Sequence, residues 1–125
     1  MYEVKIKADF SAAHNLKEVG GKCESLHGHN FKVEVSVESE TLDDSGMVID
    51  FRLLKEKTRG LLESFDHRYL NELPCLQGMN PSAENVAFYL FHELARQIDQ
   101  GSRQVSWVAV WESDTSRAIF RRPPK

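Results

Sequence analysis

Two stretches of the chain alternate apolar and polar residues with a period of two. Tyr2, Val4, Ile6, Ala8 and Phe10 alternate with Glu3, Lys5, Lys7 and Asp9, and Phe31, Val33, Val35 and Val37 repeat the pattern against Lys32, Glu34, Ser36 and Glu38. Successive side chains leave opposite sides of an extended chain, so each stretch reads as a strand with one wet and one buried face. The buried face of such a sheet has to be covered by a second layer. The middle of the chain provides one.

Asp50 is placed as a helix N-cap, and Phe51, Leu54, Thr58, Leu61, Leu62 and Phe65 follow near helical spacing. A second helix is predicted to begin after Pro81 and Ser82, with Ser82 as its cap, and to run to about Gln100 on a stripe of Ala87, Leu90, Phe91, Leu94 and Ile98. Between the helices DHRYLNELP reads as a break. Ser11 to Glu24, without a clear period, reads as a loop, and Met47 to Ile49 as a short extended return. Val105 to Trp111 is apolar almost throughout, as expected of a strand covered on both faces, and Ala118 to Arg121 can pair with it across a turn at Asp114 to Ser116. The expectation is one α+β domain over residues 1–125, an antiparallel four-stranded sheet with two helices on one face. The other face and the sheet edges would be bare unless further subunits cover them, so the run containing Trp107 and Trp111 points to an oligomer.

The charge excludes several partners. Nineteen acidic and sixteen basic residues are mixed along the chain for a net charge of -3, which gives no general grip on nucleic acid or anionic lipid. Met1 to Phe10 alternates charged and apolar residues and does not resemble a signal peptide, and no apolar run is long enough to span a bilayer, so a cytoplasmic protein is expected. Cys23 and Cys75 permit a disulfide, but in a reducing compartment a thiol is more often free, metal-bound or catalytic.

The densest chemistry lies in CESLHGHN, residues 23–30. If His27 and His29 open the second strand, both imidazoles leave the same face about 6.5 Å apart at the backbone, with Gly28 leaving room between them. His14 lies just past the end of the first strand, and a hairpin pairing brings it beside the other two. His92 falls on the polar side of the second helix and is left out of the set. Three neutral imidazoles with an open fourth position describe a catalytic zinc site, whereas Cys23 as fourth ligand would describe a closed structural one.

At this point six motifs in order resemble the family of 6-pyruvoyltetrahydropterin and 6-carboxytetrahydropterin synthases: SAAHN, CxxxHGHN, GMVIDF, FDHRYLN, NPSAEN and WES. The match spans most of the chain. The resemblance implies zinc held by His14, His27 and His29, Cys23 as the catalytic thiol, and Asp66 with His67 as a proton-transfer pair. It implies Glu112 as the anchor of the pterin ring, and Ser82 as a substrate contact that keeps a hydroxyl where the family commonly has threonine. It further implies the tunnelling fold, in which small sheets from several subunits close into a barrel, a hexamer of two trimers with active sites between neighbours.

These roles are chemically sensible. The family substrate, 7,8-dihydroneopterin triphosphate, carries two side-chain hydroxyls that an open zinc can acidify. A thiolate near a cation is a competent base near neutral pH, and a histidine beside a carboxylate can relay the proton. Glu112 offers two acceptor oxygens to adjacent donors of a pterin. The three-residue gap between Cys23 and His27 resembles the carboxy-forming branch of 7-deazaguanine and queuosine biosynthesis. The implied activity is a carbon–carbon and carbon–oxygen lyase giving 6-carboxy-5,6,7,8-tetrahydropterin, acetaldehyde and triphosphate. Glu24 also creates ExxHGHN, the arrangement of a branch that makes 6-hydroxymethyl-7,8-dihydropterin for folate, so this product, like the 6-pyruvoyl product, stays open. A reading of a different class is a zinc-stabilised pterin-binding assembly module without turnover, with Cys23 completing the metal shell. Cys75 matches no motif and reads as a small buried residue.

Overall fold

The two alternating stretches form the centre of the sheet in the computed structural model, which describes residues 1–17, 21 and 25–124. Strand β1 (Tyr2–His14) and strand β2 (His27–Ser39) pair antiparallel in one unbroken register, from Tyr2 opposite Ser39 to His14 opposite His27. The first strand therefore runs four residues beyond Phe10, into a segment whose lack of period had suggested a loop. There Ser11, Ala12 and Ala13 pair with Asn30, His29 and Gly28, and the Ser11 hydroxyl donates to Asn30 Oδ1 at 2.6 Å; three small side chains show too little contrast to display a period.

Helix α1 (Phe51–Leu62) follows, capped by Asp50, whose carboxylate accepts the Arg52 N–H at 2.8 Å. Strand β3 (Arg68–Tyr69) and two single 3-10 turns lead to helix α2 (Ala83–Ile98), where the Ser82 hydroxyl accepts the Asn85 N–H at 3.1 Å. Strands β4 (Gln104–Ser113) and β5 (Ser116–Arg121) complete a sheet of order β3-β1-β2-β4-β5. The expected four-stranded antiparallel sheet is thus corrected to a mixed sheet of five, because β3 runs parallel to β1 through Ala12 opposite Arg68 and Ala13 opposite Tyr69. Two residues are too few to carry a period. Met47 to Ile49 likewise joins no strand: Gly46 at φ 76° turns the chain, Asp43 accepts the Ser45 and Met47 N–H groups at 2.8 and 3.0 Å, and Val48 and Ile49 drop into the core.

Both helices cover the same sheet face. Ile6, Phe10, Phe31, Val33, Val35, Val37, Val105, Val108 and Val110 meet Leu54 and Leu62 of α1 and Val86, Leu90, Phe91, Leu94 and Ile98 of α2 in one buried core. Each large apolar side chain buried this way contributes about 1.5–3 kcal/mol, which makes this layer the main source of stability. Its end, where Phe10 and Phe31 stack at 4.9 Å between ring centres, packs against the histidines through Phe31.

The opposite face is mixed, carrying Trp107 and Trp111 beside Ser36 and Lys32, and it holds a buried charge. Glu34 is 3% exposed, accepts the Trp111 indole N–H at 2.5 Å, and pairs with Lys5 at 2.7 Å and Arg117 at 3.3 Å. Burial pushes its carboxyl up, but the hydrogen bonds from Lys5 and Trp111 outweigh it and hold the group below its ordinary range. The Arg117 guanidinium also lies over the Trp111 ring, 5.0 Å from its centre. Among the described residues no helix is long and apolar enough to cross a membrane.

Candidate metal centre and active site

Strand parity sets the site. In the β1–β2 ladder His14 stands opposite His27 and Ala12 opposite His29, so all three imidazoles rise from the face that further along carries Phe10 and Phe31. The ring centres lie 4.5 Å apart for His14 and His27, 4.7 Å for His27 and His29, and 5.5 Å for His14 and His29. Phe31 packs edge-on against His14 and His29 at 5.4 and 5.5 Å, an apolar floor that limits their rotation. An added Cβ at Gly28 would meet only the Ala12 carbonyl oxygen, at 3.7 Å, which is ordinary contact, so the two imidazoles do not depend on glycine for room.

Hydrogen bonds decide which nitrogens are presented. His14 is fully buried and its Nδ1 lies 2.7 Å from the Pro81 carbonyl oxygen, while His27 Nδ1 lies 2.7 Å from the Ser25 carbonyl oxygen. A carbonyl only accepts, so both Nδ1 atoms donate and both Nε2 atoms are left for another partner. This outer support is what ligating histidines need to hold ring orientation and tautomer. The remaining candidate ligand is Glu112, whose Oε1 lies 2.9 Å from His14 Nε2, 3.3 Å from His29 Nε2 and 3.8 Å from His27 Nε2. One ligand atom from each of the four residues falls within 4.8 Å of the others. Nitrogens about 2.0–2.1 Å from a tetrahedral zinc ion would be about 3.4 Å apart, so this ligand set closes on a small divalent cation by drawing in from separations of at most 4.8 Å. Burial, more than the opposing pull of Glu112, lowers the His29 pKa, and the neighbouring His27 and His14 add to that lowering; the neutral form that binds metal is favoured.

Asp66 and His67 lie beside β1 at its free edge, just before β3. His67 has φ 58°, a left-handed conformation rare for a residue with a side chain, and its N–H donates to the Ser11 carbonyl at 2.6 Å. The Ser11 N–H donates in turn to Asp66 Oδ1 at 2.8 Å, and Asp66 Oδ2 lies 3.1 Å from His67 Nδ1. The two neighbours in sequence therefore do form a carboxylate–imidazole pair, locked to β1 by reciprocal backbone contacts. The Ser11 N–H, against some burial and helped by His67, holds the Asp66 carboxyl below its ordinary range. His67 and His29 line one cleft of about 590 Å³ with Ser11, Ala13, Gly28 and Asn30.

Glu112, expected at a pterin ring, faces the imidazoles on one side and on the other lines a cleft of about 150 Å³ with Ala83, Glu84, Ser116, Arg117 and Ala118. The oxygen of Ser82 serves as the cap of α2. Cys23 and Glu24, with Lys22, lie outside the described residues. Cys75 is half-buried rather than buried, and it lies beside Tyr89, whose phenol is pushed up to about 12 by burial and by Cys75. His92, left out of the metal set, is exposed and packs on Phe88 and Phe120.

A set of asparagines carries a role that sequence reasoning passed over. Asn71 Oδ1 accepts the Asn15 N–H at 3.0 Å and its Nδ2 donates to the Asn15 carbonyl at 2.9 Å. Asn80 repeats this with Lys17, at 2.9 and 3.0 Å. Each side-chain amide thus mimics one rung of a β-ladder and fixes the chain just after His14, on the way to Cys23. Both residues stand in quoted motifs, FDHRYLN and NPSAEN, which was the available signal.

Comparison with known proteins places the chain in a family. A family model described as 6-pyruvoyl tetrahydropterin synthase matches residues 3–123. The chain is 35% identical to a 6-carboxy-5,6,7,8-tetrahydropterin synthase of Synechocystis, over 98% of this chain and 95% of that one. It is 34% identical to a dihydroneopterin monophosphate aldolase of Pyrococcus furiosus, over 86% and 87%. A solved structure of the Caenorhabditis elegans 6-pyruvoyl tetrahydropterin synthase superposes with a TM-score of 0.86 at 27% identity, covering 98% of this chain and 96% of that one. The chain belongs to the 6-pyruvoyl tetrahydropterin synthase family of pterin enzymes.

Proposed function

We propose that this protein is a zinc-dependent lyase that converts 7,8-dihydroneopterin triphosphate and water to 6-carboxy-5,6,7,8-tetrahydropterin, acetaldehyde and triphosphate, as a step toward 7-deazaguanines such as queuosine. The observation that carries the reading is the convergence of His14, His27 and His29, each through Nε2, in a chain of this family. When bound there, zinc supplies Lewis acidity to the hydroxyls of the substrate side chain.

The chain's own residues do the rest. The Pro81 and Ser25 carbonyls hold two of the imidazoles in the ligating tautomer. Cys23 is the base that removes a proton from carbon, and the exposed imidazole of His67, oriented by Asp66, passes protons to and from the reacting oxygens. Glu112 recognises the adjacent N–H and amino donors of the pterin, with Ser82 nearby at the start of α2. Active sites lie between subunits of a homo-oligomer, a hexamer of two trimers closed into a barrel. The half-buried Trp107 and Trp111 on the sheet face away from the helices support that assembly.

The purified protein is to be incubated with 7,8-dihydroneopterin triphosphate and the pterin product identified by mass spectrometry. The 6-carboxy product is expected, and a protein that binds zinc and turns over no pterin would leave only the binding-module reading. Cys23→Ala is expected to keep zinc and lose product; loss of zinc with a loosened fold would instead make Cys23 a structural ligand. A second reading, release of 6-hydroxymethyl-7,8-dihydropterin through Glu24, is favoured by ExxHGHN and by the likeness to the Pyrococcus aldolase. Selective loss of that product in Glu24→Ala would establish it.

A further inference from the structure

Glu112 stands in two places at once. Its Oε1 lies within 2.9–3.8 Å of all three histidine Nε2 atoms. The same side chain borders the cleft containing Glu84 and Arg117. Hydrogen-bond accounting makes the first of these contacts informative. His14 and His27 already donate from Nδ1, so in their neutral forms their Nε2 atoms carry lone pairs. A carboxylate oxygen also presents only lone pairs. Two acceptors in contact repel unless a proton or a metal ion lies between them; a proton on Nε2 serves one imidazole at a time, whereas one divalent ion among four ligand atoms within 4.8 Å of one another serves all three.

We propose that Glu112 is the fourth ligand of the resting metal site, which is closed as three histidines and one carboxylate until substrate arrives. This rests on the metal-site reading above and adds to it. Glu112 lies on β4, one residue past Trp111, which pairs with Lys32 of β2; it is therefore on the sheet face of Phe31 and the histidines, and its carboxylate needs no movement of a helix to reach them. A carboxylate committed to the metal cannot give both oxygens to a pterin. Binding of the pterin in the adjacent cleft would thus draw Glu112 from the three histidines to the ring donors, leaving His14, His27 and His29 to hold the ion. The exchange couples recognition of the ring to opening of the site, so that the reactive position is exposed only when a pterin is present.

The test uses the whole protein loaded with cobalt(II) and no substrate. Visible absorption reports the cobalt ligand set, and competition with a chelator reports affinity. Replacing Glu112 by Gln and by Ala is expected to change the absorption bands and to weaken apparent cobalt affinity by about tenfold or more. Absorption and affinity equal to wild type in Glu112→Gln, which keeps the side-chain shape, would overturn the proposal. Adding 7,8-dihydroneopterin to the wild-type cobalt protein is expected to shift the bands, and bands unmoved at saturating pterin would overturn the exchange. A protein that forms the 6-carboxy product yet keeps wild-type cobalt bands in Glu112→Gln retains its lyase assignment and loses this one.

Discussion

Replacing Asn80 with Ala removes two hydrogen bonds, from the Lys17 N–H at 2.9 Å and to the Lys17 carbonyl at 3.0 Å. Both lie at the surface, where a hydrogen bond contributes about 0.5–1 kcal/mol net, so the docking of residue 17 is weakened by about 1–2 kcal/mol. Such a loss corresponds to about a 5–30-fold change in the ratio of docked to undocked chain. No core side chain is removed, and His14 keeps its separate bond to the Pro81 carbonyl. The expectation is therefore a fall in kcat/KM of up to about 30-fold for 7,8-dihydroneopterin triphosphate, with metal content unchanged. The melting temperature should drop by no more than about 8 °C. Product formation by chromatography, elemental analysis and thermal unfolding read the three quantities separately. A kcat/KM within twofold of wild type would refute the argument that this amide positions the segment leading to Cys23. Lost metal would refute the argument that His14 is held independently of it.

Other groups give equally direct tests. Glu34 has its pKa lowered from 4.5 in the folded chain. Its contribution to stability is therefore complete above about pH 4.5 and is lost as pH falls through the lower folded value. Glu34→Gln should flatten the acid limb of stability followed by denaturant titration across that window, and an unchanged limb would show that other carboxylates control it. His67→Asn tolerates the left-handed backbone at φ 58° and removes the imidazole. It should leave the fold intact by circular dichroism while lowering kcat about 10²–10⁴-fold. A kcat near wild type would take His67 out of the proton path.

Much of this was legible because periods and caps are local. The alternation from Tyr2 and from Phe31 located β1 and β2, Asp50 and Ser82 marked both helix starts, and the parity of His27 and His29 put two imidazoles on one side. What escaped depends on contacts remote in sequence. Arg68 and Tyr69 form a strand only because β1 offers a free edge at Ala12 and Ala13. Glu112 reaches the histidines through the register of β4 on β2, 98 residues away in sequence from His14. The asparagine amides at 71 and 80 act as backbone, a role that no hydrophobic period encodes.

We propose that His14, His27 and His29 together hold one divalent metal ion. Elemental analysis of the purified protein beside His27→Ala and His29→Ala, both half-buried and so tolerant of truncation, tests it most directly. About one zinc ion per wild-type chain is expected, and less than about a tenth of that in each variant, with unchanged circular dichroism. Full zinc content in both variants would contradict it.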